Sequence, residues 1–377
     1  MNIILFDEVS TWQNLLPLTY TRPVSGIRIG ILTIYEKWKH YFPGAEITCL
    51  TEKYLSEKYP LKIEEVNYFI NASVLPSPEL VKQIAGISNG EEISTNELLI
   101  AYKGSLEDFN SSNRNGKKST FTGDLLSIKN VYDIFLKNGK AISDDFSLIT
   151  GGRRSEQVSS SVKIIGNTRE VFIEKGAVAE ACIFNTKNGP IYIGKDAEVM
   201  EGTVIRGPFA LCEHSATKMA AKIYGPTTVG PHSKVGGEIN NSVIFGFSNK
   251  AHDGFLGNSV VGEWCNLGAD TNNSNLKNNY GNVKLFNYRE NTMLDTGLQF
   301  CGLIMGDHSK SGINTMFNTG TVVGVGANVF GGSFPSKHIP SFSWGGENGF
   351  ETYKIEKMLE TAEMMYERRG LKLEAID

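Results

Sequence analysis

The sequence has little that suits a membrane, a secretory route or a nucleic acid. Among its 377 residues no apolar run approaches the ~20 that cross a bilayer. The start, Met1-Asn-Ile-Ile-Leu-Phe-Asp-Glu8, puts acids where a secretory signal needs basic residues, a longer apolar stretch and a small-residue cleavage site. Cytoplasmic location is the expectation. The five cysteines, Cys49, Cys182, Cys212, Cys265 and Cys301, are scattered and form no Cys-x-x-Cys pair, so free thiols in a reducing compartment are expected. Formal net charge is −4, which argues against nucleic acid as a partner. A small anionic ligand stays open, because it needs only a few local cations.

Glycine, at 40 residues, is what the chain has in excess, concentrated after residue 150. Stepping by six from Ile193 gives Val199, Ile205, Leu211, Thr217, Ile223, Val229 and Val235. Seven of these eight are aliphatic and the eighth is β-branched. A helix repeats at about 3.6 and a half-buried strand at 2, so a period of six fits neither. It fits a triangular solenoid in which one aliphatic side chain per flat face points inward and a small residue turns each corner. The phase resumes at Phe255, Val261 and Leu267, and again at Met305, Ser311, Phe317, Val323 and Val329, around an irregular excursion over 272–299. An earlier stretch, 162–183, reads as rungs in looser register. At 347–371 the apolar residues Ile355, Met358, Leu359, Ala362, Met365 and Tyr366 fall at helical spacing, which predicts a helix that caps the prism or forms a trimer.

Chemistry concentrates at 248–281, where the phase breaks and Asn, Lys, His and Asp lie among glycines. His252 is the one histidine there, between Lys250 and Asp253. The ordinary imidazole pKa, about 6.5, suits a general base near neutral pH. Among blander readings, a lone histidine is more often a surface or core residue.

The block Lys250-Ala-His-Asp-Gly-Phe-Leu-Gly257, with Gly262 and Asn266-Leu-Gly-Ala-Asp-Thr271, resembles the acetyltransferase half of GlmU-type enzymes. Those are bifunctional glucosamine-1-phosphate N-acetyltransferases and N-acetylglucosamine-1-phosphate uridylyltransferases, built as left-handed β-helix trimers with an N-terminal nucleotidyltransferase domain. The resemblance covers about 189–346 and is specific at 252–281. It implies a base at His252, a sugar-pocket aromatic at Phe255 in place of a tyrosine, and an orienting amide at Asn275. Asn249, Lys250, Asp253, Lys277, Asn279, Tyr280, Lys310 and Asn314 are further candidates for sugar or acyl-CoA binding. The implied reaction is acetyl transfer from acetyl-CoA to glucosamine 1-phosphate in UDP-N-acetylglucosamine synthesis for the cell envelope. The oxyanion would be held by backbone N–H groups at a corner.

The first 105 residues or so read as α/β, with strands at 2–6, 46–50, 67–70 and 97–102 and a helix within 27–42, in a small parallel-sheet domain. Pro17-Leu-Thr19, Arg22-Pro23 and Gly30 resemble the opening of sugar nucleotidyltransferases. The glycine loop that would cradle a triphosphate is absent, since Phe6 runs into Asp7-Glu-Val-Ser10. Arg22, Arg28, Lys37 and Asn71 are the candidates left for binding UTP, with Mg²⁺ as the implied cofactor and its ligands unassigned. Asp144-Asp145 is a possible metal site or, more plainly, part of a helix or linker. The polar stretch 105–123 reads as a mobile loop or lid.

The expected organisation is a nucleotidyltransferase-like domain at 1–150, with a linker from about 105, a left-handed β-helix at 151–346 and a C-terminal helix at 347–377. Three functions compete. One is a bifunctional transferase. Another is an acyltransferase whose N-terminal domain only binds a nucleotide or supports a homotrimer. The third is a non-catalytic sugar-nucleotide-binding scaffold. A zinc enzyme of the β-helix carbonic anhydrase kind is disfavoured by the wide spacing of His214, His232, His252, His308 and His338.

Overall fold

The computed structural model describes residues 1–111 and 116–377. Of the polar loop expected at 105–123, residues 112–115 lie outside the described residues.

Six strands form the N-terminal sheet: β1 (Asn2–Phe6), β2 (Glu46–Leu50), β3 (Asn67–Asn71), β4 (Glu92–Ser94), β5 (Leu99–Gly104) and β6 (Lys118–Thr120), in the order β2-β1-β3-β5-β4-β6. β1 pairs parallel with β2 and β3, whereas β5 runs antiparallel to β3 and β4. The sheet is therefore mixed, not purely parallel as the sequence suggested. Its helices are α1 (Val9–Asn14), α2 (Ile34–Tyr41), α3 (Pro78–Ala85), α4 (Leu106–Asn110) and α5 (Asp133–Thr150). The helix expected within 27–42 begins only at Ile34, because Thr33 and Glu36 form a reciprocal capping box there.

From Lys163 the chain winds into a parallel β-solenoid with three flat faces. The first face carries six strands, from Lys163–Ile165 to Phe255–Gly257. The second carries nine, from Val171–Ile173 to His338–Ile339. The third carries ten, from Val178–Ala179 to Gly349–Thr352. Ile193, Val199, Ile205, Leu211, Thr217, Ile223, Val229 and Val235 are all buried, as the six-residue step requires. The later phase needs one correction. Leu256, not Phe255, points inward after the break.

The faces differ in what covers them. First-face strands such as Val204–Arg206 and Lys222–Tyr224 alternate exposed, buried, exposed. Second-face strands such as Phe209–Leu211 and Leu303–Met305 are buried throughout, because α5 and the N-terminal domain lie on their outer side. Ile134 and Phe135 of α5 share one core with Val243, Phe245, Val260, Ile304 and Val322 of the solenoid. Within the irregular excursion, Lys284–Asn287 and Thr292–Asp295 form a hairpin whose Asn287 amide reaches Asn14 at 3.1 Å.

The C-terminal helix is shorter than expected: Ser343–Gly346 and Gly349–Thr352 form a last hairpin, and α6 spans Ile355–Glu367. One corner of the prism explains where α6 sits. His214, His232, Phe247, Trp264 and His308 all adopt left-handed φ of 54–59°, which aligns their rings on successive rungs. Centroids lie 4.9, 4.7, 4.2 and 6.2 Å apart up this ladder, and Tyr366 of α6 stacks on Trp264 at 4.2 Å. Three of the chain's six histidines are thus rungs of an aromatic stack. Burial drives the His308 imidazole down to about 4, keeping it neutral under the helix.

Candidate active site

On the third face, outward residues sit one place before the inward column, so consecutive rungs present Lys234, Asn249, Asn266 and Lys310 in a vertical line. α6 stands beside this line, held by Tyr366 on Trp264 and by the buried Met358 and Ala362. Between helix and face is a cleft of about 810 Å³. His252 opens onto it from the corner between the third and first faces, with Lys218, Lys234, Lys310, Arg368 and Arg369 around it.

None of those five cations is paired with a carboxylate among the described residues; Lys218 touches Met200 Sδ and Lys310 donates to the His308 carbonyl. Burial, then the neighbouring Arg369, Lys218 and Arg368, pull the Lys234 ammonium below its usual range. Burial lowers Lys310 as well. Crowded, half-desolvated cations without counter-ions make a site for a polyanion. Phe247, Trp264, Leu267, Ile313 and Met365 supply the apolar part of the lining.

The remaining candidates are divided. Asn249, Lys310 and His252 share the cleft. Phe255 and Asn275 sit together along the first face, where a Cβ on Gly257 would meet the Phe255 ring at 2.4 Å and the Asn275 amide at 2.7 Å. Asn275 donates to Asn258 Oδ1 at 2.8 Å, so it stands at the far end of the strand Phe255–Gly257 from His252. Lys277, Asn279 and Tyr280 continue from Asn275 into the excursion: Lys277 donates to the Asn282 carbonyl, Asn279 caps Gly281, and Tyr280 is exposed. Asp253 is exposed beside His252, and Asn314 lies exposed two rungs on at the same corner, its N–H on the Ala269 carbonyl and its φ 59°.

Lys250 is a correction. It occupies the inward column above Val235, is 1% exposed, and donates from Nζ to the carbonyls of His252 and Asp253 at 2.6 and 2.8 Å. It faces the prism interior, not a ligand.

The N-terminal cations are corrections too. Arg22 is 5%, Arg28 9% and Lys37 3% exposed. Arg22 pairs with Asp307 and, at 3.1 Å, with Glu263 of the solenoid. Arg28 bonds the Ile31 carbonyl and pairs with Glu36. Lys37 pairs with Asp145, which also accepts from the Ile31 and Leu32 N–H groups; burial pulls Lys37 down and pushes Asp145 up. Asn71 is buried, accepting from Ser73 and donating to the Leu99 carbonyl. All four are buried against protein partners; Arg22 also lines a cavity of about 600 Å³ with Thr21 and Tyr59.

Asp145 is thus a strut, and Asp144 pairs with Lys140, so neither forms a metal site. At the carboxyl end of β1, Asp7 accepts from Val24 N and Thr51 Oγ1, and burial pushes its carboxyl up to about 7. Among the described residues no three His, Cys, Asp or Glu are grouped to hold a metal. These residues do not make a Mg²⁺ cradle. All five cysteines are free and buried, and no helix among the described residues is long and apolar enough to cross a membrane.

Asn266, Lys218, Lys234, Arg368 and Arg369 were missed in the sequence. The signal for Lys234 and Asn266 was present: each immediately precedes an inward residue, Val235 or Leu267, on the face that carries Asn249 and Lys310. The two arginines carry no sequence signal without the helix docking.

The profile of the sugar nucleotidyl transferase family matches residues 3–154. A bifunctional sugar-1-phosphate nucleotidylyltransferase/acetyltransferase of Sulfurisphaera tokodaii is 29% identical over 153 residues, 40% of this chain and 38% of that protein. A bifunctional protein GlmU of Wigglesworthia glossinidia brevipalpis is 27% identical over 256 residues, 67% of this chain and 46% of that protein. The chain thus spans less than half the length of these relatives. Among solved structures, a UDP-N-acetylglucosamine acyltransferase of Francisella novicida aligns at 17% identity and a TM-score of 0.31, over 57% of this chain and 72% of that one. The chain is thus similar to bifunctional GlmU proteins, with a domain that matches the sugar nucleotidyl transferase profile resting on a parallel β-solenoid that ends in a helix.

Proposed function

We propose that this chain is a transferase that acetylates the amine of glucosamine 1-phosphate from acetyl-CoA, with His252 as general base. The observation that carries this reading is the cleft: an exposed imidazole at the edge of five unpaired cations, the complement of a phosphorylated acyl carrier. His252 takes the amine proton as nitrogen attacks the thioester carbonyl. The N–C bond forms, the C–S bond breaks, and the sulfur leaves as the free thiol. Asn249, Asn266 and Lys310 orient the carrier along the third face. Phe255 and Asn275, with Lys277, Asn279 and Tyr280 beyond them, line the first face where a sugar would lie. In one chain that face separates Asn275 from His252, so a cytoplasmic homotrimer that brings corners of adjacent copies together is part of the proposal.

The same reading gives the N-terminal domain uridylyl transfer from UTP to the acetylated product, in keeping with the bifunctional names of the relatives. A second reading is favoured by the inward Arg22, Arg28 and Lys37: the domain binds a nucleotide or braces the assembly without turnover. The test is a paired assay. Thiol release from acetyl-CoA plus glucosamine 1-phosphate reads one half, and pyrophosphate release from UTP plus N-acetylglucosamine 1-phosphate reads the other. Both signals support the bifunctional reading. Thiol alone selects the second reading, and thiol from no amino-sugar phosphate overturns acyl transfer.

A further inference from the structure

The turn that presents His252 is built on an unusual foundation. From Val235 to Ile239, successive inward residues, the corner takes four residues. One rung later, from Lys250 to Leu256, it takes six. The longer corner, Ala251–Gly254, therefore overhangs a shortened one. The fit between them is close: a Cβ on Gly236 would lie 2.4 Å from the Ala251 oxygen, and one on Gly237 would lie 2.7 Å from the Gly254 oxygen. From above, Gly254, at φ +110°, would bring a Cβ within 2.3 Å of the Thr271 oxygen.

An overhang turns carbonyls toward the interior, where an unpaired one is costly. The Asp253 carbonyl receives the Asp270 N–H as well as Lys250. The His252 carbonyl receives only Lys250 among the hydrogen bonds of the described residues. Elsewhere on this column the inward residue is Ala179, Val199, Thr217, Val235, Leu267, Ser311, Val329 or Gly345. A long, charged side chain appears only on the rung that carries the histidine. Burying it draws the ammonium down to about 8, a cost that an aliphatic residue would avoid.

We infer that Lys250 is a positioning residue for His252: from inside the prism its Nζ ties down the carbonyls of the His252 turn and so fixes where the imidazole stands in the cleft. The inference rests on the acyltransferase reading and adds a residue that touches neither substrate.

The experiment compares wild type, Lys250→Met, Lys250→Arg and His252→Ala, each verified as folded by circular dichroism and thermal melting. Two readouts are taken: steady-state thiol release, and NMR of the His252 ring with hydrogen exchange of Ala251–Gly254. Lys250→Met is expected to lower kcat at least tenfold while KM for acetyl-CoA stays within about twofold, to broaden or move the His252 ring signal, and to speed exchange in the turn. Lys250→Arg, which keeps a donor, is expected to recover part of kcat. A folded Lys250→Met with wild-type kcat and an unchanged ring signal overturns the inference. If wild type transfers no acetyl group, the functional reading falls alone, and the ring signal and exchange rates decide the role of Lys250. Should Lys250→Met fail to fold, Lys250→Leu, the residue type that the next rung carries at Leu267, takes over the test: an unmoved ring signal and full kcat in that variant overturn the inference.

Discussion

Two sets of basic residues face opposite ways in this molecule. Arg22, Arg28 and Lys37 of the N-terminal domain are inside, each against a carboxylate. Lys218, Lys234, Lys310, Arg368 and Arg369 around His252 have none among the described residues. A buried cation without a partner is expensive, and pairing it recovers the cost only with good geometry. Arg22 therefore fastens the domain to the solenoid, and Arg28 and Lys37 brace the domain from within. The second set keeps its charge free, as the proposed polyanion site requires. Charge type alone does not distinguish a strut from a ligand site; what the charge already touches does.

The comparison can be broken most severely at His252. His252→Ala, an exposed side chain, is expected to cost about 10²–10⁴-fold in kcat for thiol release without lowering the melting temperature. On the structural side, Lys37→Met strands the Asp145 carboxylate. It should destabilise by about 3–5 kcal/mol in urea unfolding, and Lys37→Met with Asp145→Asn, which removes the charge and keeps an acceptor for the Ile31 and Leu32 N–H groups, should restore most of that.

The aromatic ladder gives a pH dependence. The His308 imidazole is held at about 4 in the fold against an ordinary 6.5. The folded state thus favours the neutral ring. Its contribution is fully present above pH 6.5 and is lost as pH falls toward 4. Between those limits stability should drop by on the order of 3 kcal/mol, and His308→Phe should flatten that slope in melts across the range. The smallest expected effect is at the edge of the cleft. Arg368→Gln with Arg369→Gln should raise KM for acetyl-CoA about tenfold, the equivalent of about 1.4 kcal/mol, with kcat little changed. An unchanged KM would mean that these arginines are only solvated.

Much of the solenoid was legible because its period is written in aliphatic residues. The inward column from Ile193 to Val235 could be read from spacing alone. Phe255 misled because it lies six before Val261, whereas the step from the inward Leu256 to Val261 is only five. His252 was legible through its polar setting in an apolar repeat. Lys250 was misread for the same reason: beside a histidine a lysine suggests a ligand contact, and only the register shows it pointing inward. Arg22 and Lys37 were misread because their partners Asp307 and Asp145 are more than a hundred residues away. No local pattern announces such pairs. The capping box at Thr33–Glu36, by contrast, was in plain view and would have placed the start of α2.

The most direct test of the acyltransferase account is the initial rate of thiol release from acetyl-CoA with glucosamine 1-phosphate, wild type against His252→Ala at equal folded concentration. Turnover by wild type with a loss of about a hundredfold or more in the variant is the expected result. A variant within a few-fold of wild type would contradict it and move the chemistry away from the His252 cleft.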